Sequence, residues 1–232
     1  MNPLADLEKF QYDSPILTYD MTAWQSLIQG LFPRRAPAGT PFWQQRQFTP
    51  YVHVLLSGCV KILQYTHDGR ENVSYLAGAG CVLTEDSAMS GAPLRTSAIA
   101  VTPCRVYIVA KEDFLRQLKN DFDFTLRFLE YRNKKFLLFA ARIQNLLQPH
   151  PAQRMATTLL GACQEFGSVT PRGIELNLGL SHALWAALIH ANRVTVTRTL
   201  SRFEQEGWLL REGKRLVITA PEALMKVVEF RE

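Results

Sequence analysis

The stretch from Leu180 to Leu210, LSHALWAALIHANRVTVTRTLSRFEQEGWLL, constrains the fold more than any other part of the chain. It reads as two helices meeting at a tight corner. Ser181 can N-cap the first, its hydroxyl accepting an orphan amide hydrogen of the opening turn. Leu184, Ala187 and Leu188 recur at helical spacing and give that helix an apolar face. The corner falls at His190-Ala191-Asn192, where Asn192 can cap the second helix. Val196, Leu200 and Phe203 bury one side of the second helix, and Gly207 ends it. Arg193, Val194, Thr197 and Arg198 stay on the other side, near the N-terminus, where a helix-turn-helix faces the DNA major groove. LLREGKRLVI follows as strand, Glu-Gly turn and strand, the wing of a winged helix. An ordinary amphipathic hairpin is the competing reading. The exposed Arg and Thr, the length of the corner and the basic hairpin behind it weigh against that alternative.

A second constraint lies upstream. Phe122, Leu126, Leu129, Asn133, Phe136, Ala140, Ile143 and Leu147 follow one another at steps of 4, 3, 4, 3, 4, 3 and 4. That heptad seam predicts a helix from about Asp121 to Leu147 and a coiled-coil homodimer interface along it. Asn133 is the one polar member, a residue type that can fix register. A second stripe, Phe128, Leu138, Phe139 and Leu146, is expected to pack on the helix's own domain. Prolines in Gln148-Pro149-His150-Pro151 stop the helix, because they cannot continue its hydrogen-bond ladder. PAQRMATTLLGACQEFG then opens another amphipathic helix.

Before the seam the pattern differs. Residues 1 to about 35 read as helical and loosely ordered, ending in the Pro-rich FPRRAPAGTP. TPFWQQRQF, YVHVLLSGCVKILQY, ENVSYLA and SAIAVTPCRVYIVA read as short strands, the last broken at Pro103. His67-Asp68-Gly69-Arg70 is a hairpin turn with a strong Asp-Gly signal. Short strands at this spacing suggest an antiparallel barrel or jelly roll. The expected class is α+β, in three parts: a jelly-roll-like antiparallel β-barrel over residues 1–115, a long dimerisation helix over 116–148, and a winged helix-turn-helix over 149–232.

An apolar fraction of 47% with 20% charged residues suits a folded soluble protein. No apolar run is long enough to span a membrane, and the acidic N-terminus lacks the form of a signal peptide, so a cytoplasmic protein without a membrane partner is expected. The net charge of +5 permits a nucleic-acid partner. Residues 193–215 hold six Arg or Lys against three Glu, a local +3, so double-stranded DNA should be held by both subunits of a dimer. The DNA-binding set read here is Ser181, His182, Asn192, Arg193, Val194, Thr195, Thr197, Arg198, Arg202 and Lys214. Cys59, Cys81, Cys104 and Cys163 stand far apart without a CxxC pair, and the five histidines form no metal motif. No metal, cofactor or catalytic residue is expected. An enzyme on a cupin-like barrel is the other function class, and it would need a His-x-His set that this chain lacks.

Barrel, long helix and winged helix in that order resemble the Crp–Fnr family of bacterial transcription regulators. The likeness rests on LLSGCVKILQYTHDGRENVSYL, on RMATTLL and on the 180–210 stretch. It implies a barrel that binds an effector, a helix that dimerises, and recognition helices that respond; RNA polymerase is a further partner it implies. The family's cyclic-nucleotide cassette corresponds to GCVLTEDSAMSGAPLRTSAIA. By resemblance Glu85 takes the place of the ribose-binding glutamate, and Arg95 and Thr96 that of the phosphate-binding pair. Cys81 replaces the family's acid, and Thr84 replaces a glycine whose backbone must approach the ligand. Phe139 and Ala140 fall where a hydroxyl pair meets adenine, and neither can form those hydrogen bonds. A small organic effector other than cyclic AMP is therefore expected, in a pocket bounded by Glu85, Arg95, Thr96, Phe136, Phe139 and Ala140. KILQYTHDGRENVSYLAGAG is similar to the halorespiration regulators of this family, which sense small aromatic compounds. A regulator with a vestigial pocket, Arg95 being tied up in an ion pair, is the alternative.

Overall fold

The computed structural model describes residues 14–229 apart from 68, 70, 149 and 214. The chain divides into two compact units. One is Leu17–Leu137, and the other holds residues 14–16 with the described residues from Leu138 on.

β1 (Ile16–Leu17) stands at the boundary, and a 3-10 turn (Met21–Trp24), α1 (Gln25–Ile28), β2 (Arg34–Ala36) and β3 (Pro41–Trp43) follow in the first unit. β4 (Tyr51–Ser57), β5 (Val60–Tyr65), β6 (Glu71–Ala77), β7 (Val82–Leu83) and α2 (Glu85–Ser90) follow, then β8 (Ser97–Ala100), β9 (Cys104–Ala110) and α3 (Lys111–Asn120). The strands form two sheets, ordered β1-β6-β5-β8-β3 and β2-β9-β4-β7. The described pairings are antiparallel, with Ile62 opposite Tyr75 and Val54 opposite Tyr107. The antiparallel, strand-rich domain is as expected, but its strands lie in two sheets and do not close into one barrel among the described residues. β4 is buried at four successive positions, Val52 to Leu55, rather than at alternate ones. It is an inner strand with α2 and α3 packed against it, while the Trp43 ring lies 5.6 Å from that of His53, so both faces are covered. The β5–β6 turn includes Gly69 at φ +77°; Asp68 and Arg70 of that predicted turn lie outside the described residues.

The opening segment differs from its loosely ordered reading where it is described. Trp24 is fully buried and its Nε1 donates to the Gly80 carbonyl at 2.8 Å. Gly80 sits at φ +79°, and a Cβ there would come within 1.8 Å of the Tyr19 carbonyl oxygen. The chain is laid directly on that glycine. Large aromatics and a close backbone contact outweigh the weak periodicity of residues 14–35.

α4 (Phe122–Leu147) matches the predicted long helix in extent. Asp121 caps it, Oδ1 accepting from the Phe124 amide at 2.9 Å. At 1.5 Å per residue it is about 39 Å long. Phe124 and Tyr131 are buried beside Trp24, their rings 5.7 and 5.6 Å from it, and the Tyr131 hydroxyl donates to the Val82 carbonyl at 2.6 Å. These contacts fix which face of the helix turns inward.

The second unit contains α5 (Pro151–Phe166), β10 (Ser168–Thr170), β11 (Gly173–Leu176), α6 (His182–Ile189), α7 (Arg193–Gln205), β12 (Leu209–Glu212), β13 (Arg215–Ile218) and α8 (Pro221–Glu229). Pro151 opens α5 at a position where the missing amide hydrogen costs nothing. The sheet order is β10-β11-β13-β12, so the wing hairpin continues a four-stranded antiparallel sheet, and α8 packs on α5. β10, β11 and α8 were not read from the sequence.

Candidate nucleic-acid interface

The corner between α6 and α7 is built from its caps. Ser181 Oγ accepts from the Leu184 amide at 3.1 Å, and Asn192 Oδ1 accepts from the Thr195 amide at 2.7 Å. Between them His190 takes the left-handed conformation at φ 48°, and the Ala191 amide donates back to the Ala186 carbonyl at 3.0 Å. That is the closing pattern of a helix that turns sharply. The buried face of α6 is Trp185, Ala186, Leu188 and Ile189, whereas Leu184 and Ala187 are only half-buried. The predicted face was rotated because nearly every residue of this helix is apolar, so periodicity could not single out a side. α7 buries Val196, Thr199, Leu200 and Phe203, as the spacing of the first, third and fourth predicts.

On the outward side of α7, Arg193, Val194, Arg198 and Arg202 are exposed, and Thr195 and Thr197 are half-buried. Val194, Arg198 and Arg202 follow at four-residue steps and so form one edge. Thr197 Oγ1 donates to the Arg193 carbonyl at 2.9 Å and stands 2.8 Å from His182 Nδ1. With its hydrogen committed to that carbonyl, the hydroxyl accepts from His182, which places the imidazole proton on Nδ1. Burial, then Arg211 and Arg193, lower the pKa of His182, so its ring is neutral near pH 7.

The wing side of the unit treats its cations differently. Arg211 Nε pairs with Glu204 at 2.7 Å, Arg172 Nη2 with Glu212 at 3.0 Å and Arg215 Nη1 with Glu175 at 3.3 Å. Arg202 is 3.8 Å from Glu206. Neither Arg193 nor Arg198 has a side-chain partner among the described residues. Lys214 lies outside them. Two unpaired guanidiniums therefore stand near the start of α7, where the helix dipole adds a partial positive charge. Such groups can meet phosphates, and a guanidinium can bond both O6 and N7 of guanine.

The heptad seam is exposed along its whole length: Phe122, Leu126, Leu129, Asn133, Phe136, Ala140, Ile143 and Leu147 all face water, Phe136 at 68%. The buried face of α4 comprises Phe124, Phe128, Tyr131, Leu138, Arg142 and Asn145. Of the predicted second stripe, Phe128 and Leu138 are buried, but Phe139 and Leu146 are exposed at 39% and 38%. Two polar members of the inner face, Arg142 and Asn145, hid the true stripe from a hydropathy reading.

The cassette residues are spread out. Glu85 is wholly buried; its Oε1 accepts from Arg132 Nη1 at 2.6 Å and from Lys135 Nζ at 2.8 Å. Burial alone would lower the Lys135 pKa, but the Glu85 carboxylate overcomes this and raises it. Glu85 Oε2 is buried without a hydrogen-bond partner among the described residues. Arg132 and Lys135 were absent from the sequence reading; their spacing of three on one helix was the available signal. Arg95 is exposed and lines a separate cleft of about 630 Å³ with Gln45, Arg46, Gln64, Tyr65 and Asn72. None of Glu85, Thr96, Phe136, Phe139 and Ala140 lines it; Thr96 is half-buried and the last three are exposed. Arg95 makes no ion pair among the described residues. Thr84 holds φ +70°, the glycine-like conformation, although it is β-branched. Its hydroxyl donates to the Tyr51 carbonyl at 2.8 Å, which helps to hold the strained backbone. His53 Nδ1 lies 3.4 Å from the same hydroxyl, and burial lowers its pKa to about 4.

All four cysteines are buried and none is in a disulfide among the described residues, and burial pushes the Cys163 thiol up to about 12. Among the described residues no three His, Cys, Asp or Glu side chains gather as metal ligands, and no helix is long and apolar enough to cross a membrane.

Residues 33–121 match the cyclic nucleotide-binding domain family, and residues 153–227 match the Crp-like helix-turn-helix domain. The chain is thus a two-domain, DNA-binding transcription regulator in class. A CRP-like cAMP-activated global transcriptional regulator of Mycobacterium tuberculosis is 24% identical over 205 residues, covering 88% of this chain and 92% of that one. A global nitrogen regulator of Synechocystis is 29% identical over 175 residues, covering 75% and 78%. Among solved structures, FixK2 from Bradyrhizobium japonicum superposes with a TM-score of 0.77 at 17% identity, over 87% of this chain and 99% of that one. The chain belongs to the Crp–Fnr family of transcription regulators.

Proposed function

We propose that the protein works as a homodimer that reads a two-fold DNA operator through α7, under the control of a small organic effector other than cyclic AMP. The division of labour is a barrel domain to residue 115, a segment over 116–148 that holds the dimerisation helix α4, and a DNA-binding domain from 149, acting in the cytoplasm with RNA polymerase as a further partner. The observation that carries the reading is the contrast between paired wing arginines and unpaired Arg193 and Arg198 on the outward face of α7. Arg198 reads a guanine. Val194 packs on a thymine methyl, because it cannot accept from cytosine. Ser181, His182, Asn192, Thr195, Thr197, Arg202 and Lys214 complete the contacts to backbone and base edges. The exposed seam of α4 supports the dimer, since a row of Phe, Leu and Ile in water is unfavourable unless covered. Half-sites about 10 base pairs apart follow from two-fold symmetry.

The effector is read as meeting the exposed Arg95 with an anionic group, in the cleft that Arg95 lines with Gln45, Arg46, Gln64, Tyr65 and Asn72; Glu85, buried on Arg132 and Lys135, is not open to it. A regulator that needs no effector is the second reading; the bonds from Arg132 and Lys135 to Glu85 favour it, since they already use one carboxylate oxygen. Calorimetry with millimolar cyclic AMP or cyclic GMP should give no binding heat. Saturable cyclic AMP binding that is lost in Arg95→Ala would overturn the effector reading. Phe136→Asp, which places like charges across the seam, should sediment as a monomer and lose operator binding together. A variant that remains dimeric would move the interface elsewhere.

A further inference from the structure

α6 ends at the corner of the helix-turn-helix, and the carbonyls of its last turn point away from its own hydrogen-bond ladder. Two guanidiniums from other helices take them up. Arg142, from the C-terminal part of α4, is buried and donates through Nη1 to the Leu188 carbonyl at 2.8 Å. Its Nη2 lies 2.9 Å from His190 Nε2. Arg154, from the first turn of α5, donates through Nε to the Ile189 carbonyl at 2.8 Å and through Nη1 to the Gln148 carbonyl at 2.6 Å, with Nη2 3.4 Å from the His190 carbonyl. A guanidinium is planar and presents its donors in a fixed fork, so two of them on one helix end define its position and its tilt. Positive charge at a helix C-terminus also opposes the partial negative charge there.

The His190 ring is part of the arrangement. Arg142 can donate to Nε2 only if that nitrogen keeps its lone pair, so the ring is neutral. Burial, then Arg142 and Arg154, lower the pKa of His190, which agrees with this state. α7 starts only three residues after His190, and Asn192 already has its own cap bond. Whatever fixes the last turn of α6 therefore fixes the entry of α7. A buried arginine is a costly way to terminate a helix, because glycine or asparagine at the left-handed position suffices for the turn alone.

We propose that Arg142 and Arg154 are positioning residues for DNA recognition: the two guanidiniums, one from the long helix and one from α5, hold the last turn of α6 so that α7 is presented to the operator in one orientation. Neither touches DNA. The proposal rests on the operator-binding reading and adds to it a mechanical link from the long helix to the recognition corner within one compact unit.

The test compares two affinities at one salt concentration, for the duplex that the wild-type protein selects from a randomised pool and for a scrambled duplex of equal length. Arg142→Gln should weaken the selected duplex at least tenfold and change the scrambled duplex less than twofold, while sedimentation still shows the wild-type assembly. Arg142→Lys, which keeps a donor for the Leu188 carbonyl, should recover most of the loss. If Arg142→Gln does not fold, Arg154→Gln is read in the same way, because that side chain is only half-buried. Unchanged affinity for the selected duplex in either folded variant overturns the proposal, as does equal weakening of both duplexes or a failure of Arg142→Lys to recover. A wild-type protein that selects no sequence overturns the operator reading itself, and this proposal falls with it.

Discussion

In the strand-rich unit Glu85 is withdrawn from water and closed by Arg132 and Lys135, whereas in the helical unit Arg193 and Arg198 stand in water with no side-chain partner among the described residues. The first arrangement spends its charges on holding α2 and α4 together. A buried pair contributes little net stability, yet losing one member leaves a charge stranded in a low dielectric. The second arrangement contributes little to the fold and leaves its charge available to a polyanion. One comparison separates charges that build the protein from charges that address a partner.

Removing the buried carboxylate should break this contrast on the structural side with the largest effect on stability. Glu85→Gln leaves Lys135 buried without its counter-charge, and a loss of ~3–5 kcal/mol in unfolding free energy is expected from urea titration. Arg193→Gln and Arg198→Gln should leave the urea midpoint where it is. Equal sensitivity at the two places would erase the distinction.

Acid should act on the strand-rich unit nearly as strongly. His53 is neutral in the fold, and burial lowers its pKa from 6.5 to about 4. The unfolded chain gains a proton below pH 6.5 that the folded chain refuses until about pH 4. Stability is therefore complete above 6.5 and declines as the pH falls towards 4, by ~3 kcal/mol at one proton over that interval. Urea midpoints between pH 7 and 4.5 should show this decline, and His53→Gln should flatten it. A wild-type curve without slope in that range would contradict the burial argument.

The smallest effect sharpens the functional side. Each phosphate contact contributes ~0.9 to the slope of log affinity against log salt. Arg193→Gln should reduce the slope of a dimer by about 2, one contact per protomer. Arg172→Gln should leave it unaltered, because Arg172 is already paired with Glu212. A similar change in both variants would show that the wing pairs open on DNA.

The helix-turn-helix was legible in the sequence because its signals are local. Ser181 and Asn192 are good caps followed by apolar spacing, and the bonds they make lie within three residues. The long helix was legible for a similar reason, its outer seam being uninterrupted over 26 residues. Its inner face was not, because Arg142 and Asn145 are buried there for partners that hydropathy cannot register. Glu85 was found by its cassette position, yet its closure by Arg132 and Lys135 joins residues 47 and 50 positions apart. Strands of two to four residues such as β7, β10 and β11 are too short to carry a period of their own. Residue type alone marks Thr84 as an obstacle to a close approach, whereas its glycine-like backbone conformation, at φ +70°, is visible only in the fold.

If the outward face of α7 reads a DNA sequence, removing the Arg198 guanidinium removes a base contact in each half-site. The wild-type protein is offered a randomised duplex pool, and the affinity for the selected sequence is then measured for wild type and Arg198→Ala. Two guanine contacts in a dimer, ~1–3 kcal/mol each, predict a two-fold symmetric selected site with guanine in each half and a loss of at least ~30-fold in the variant, with sedimentation and urea midpoint unchanged. Selection of no common sequence, or an Arg198→Ala protein that binds the selected site as tightly as wild type, would contradict the account.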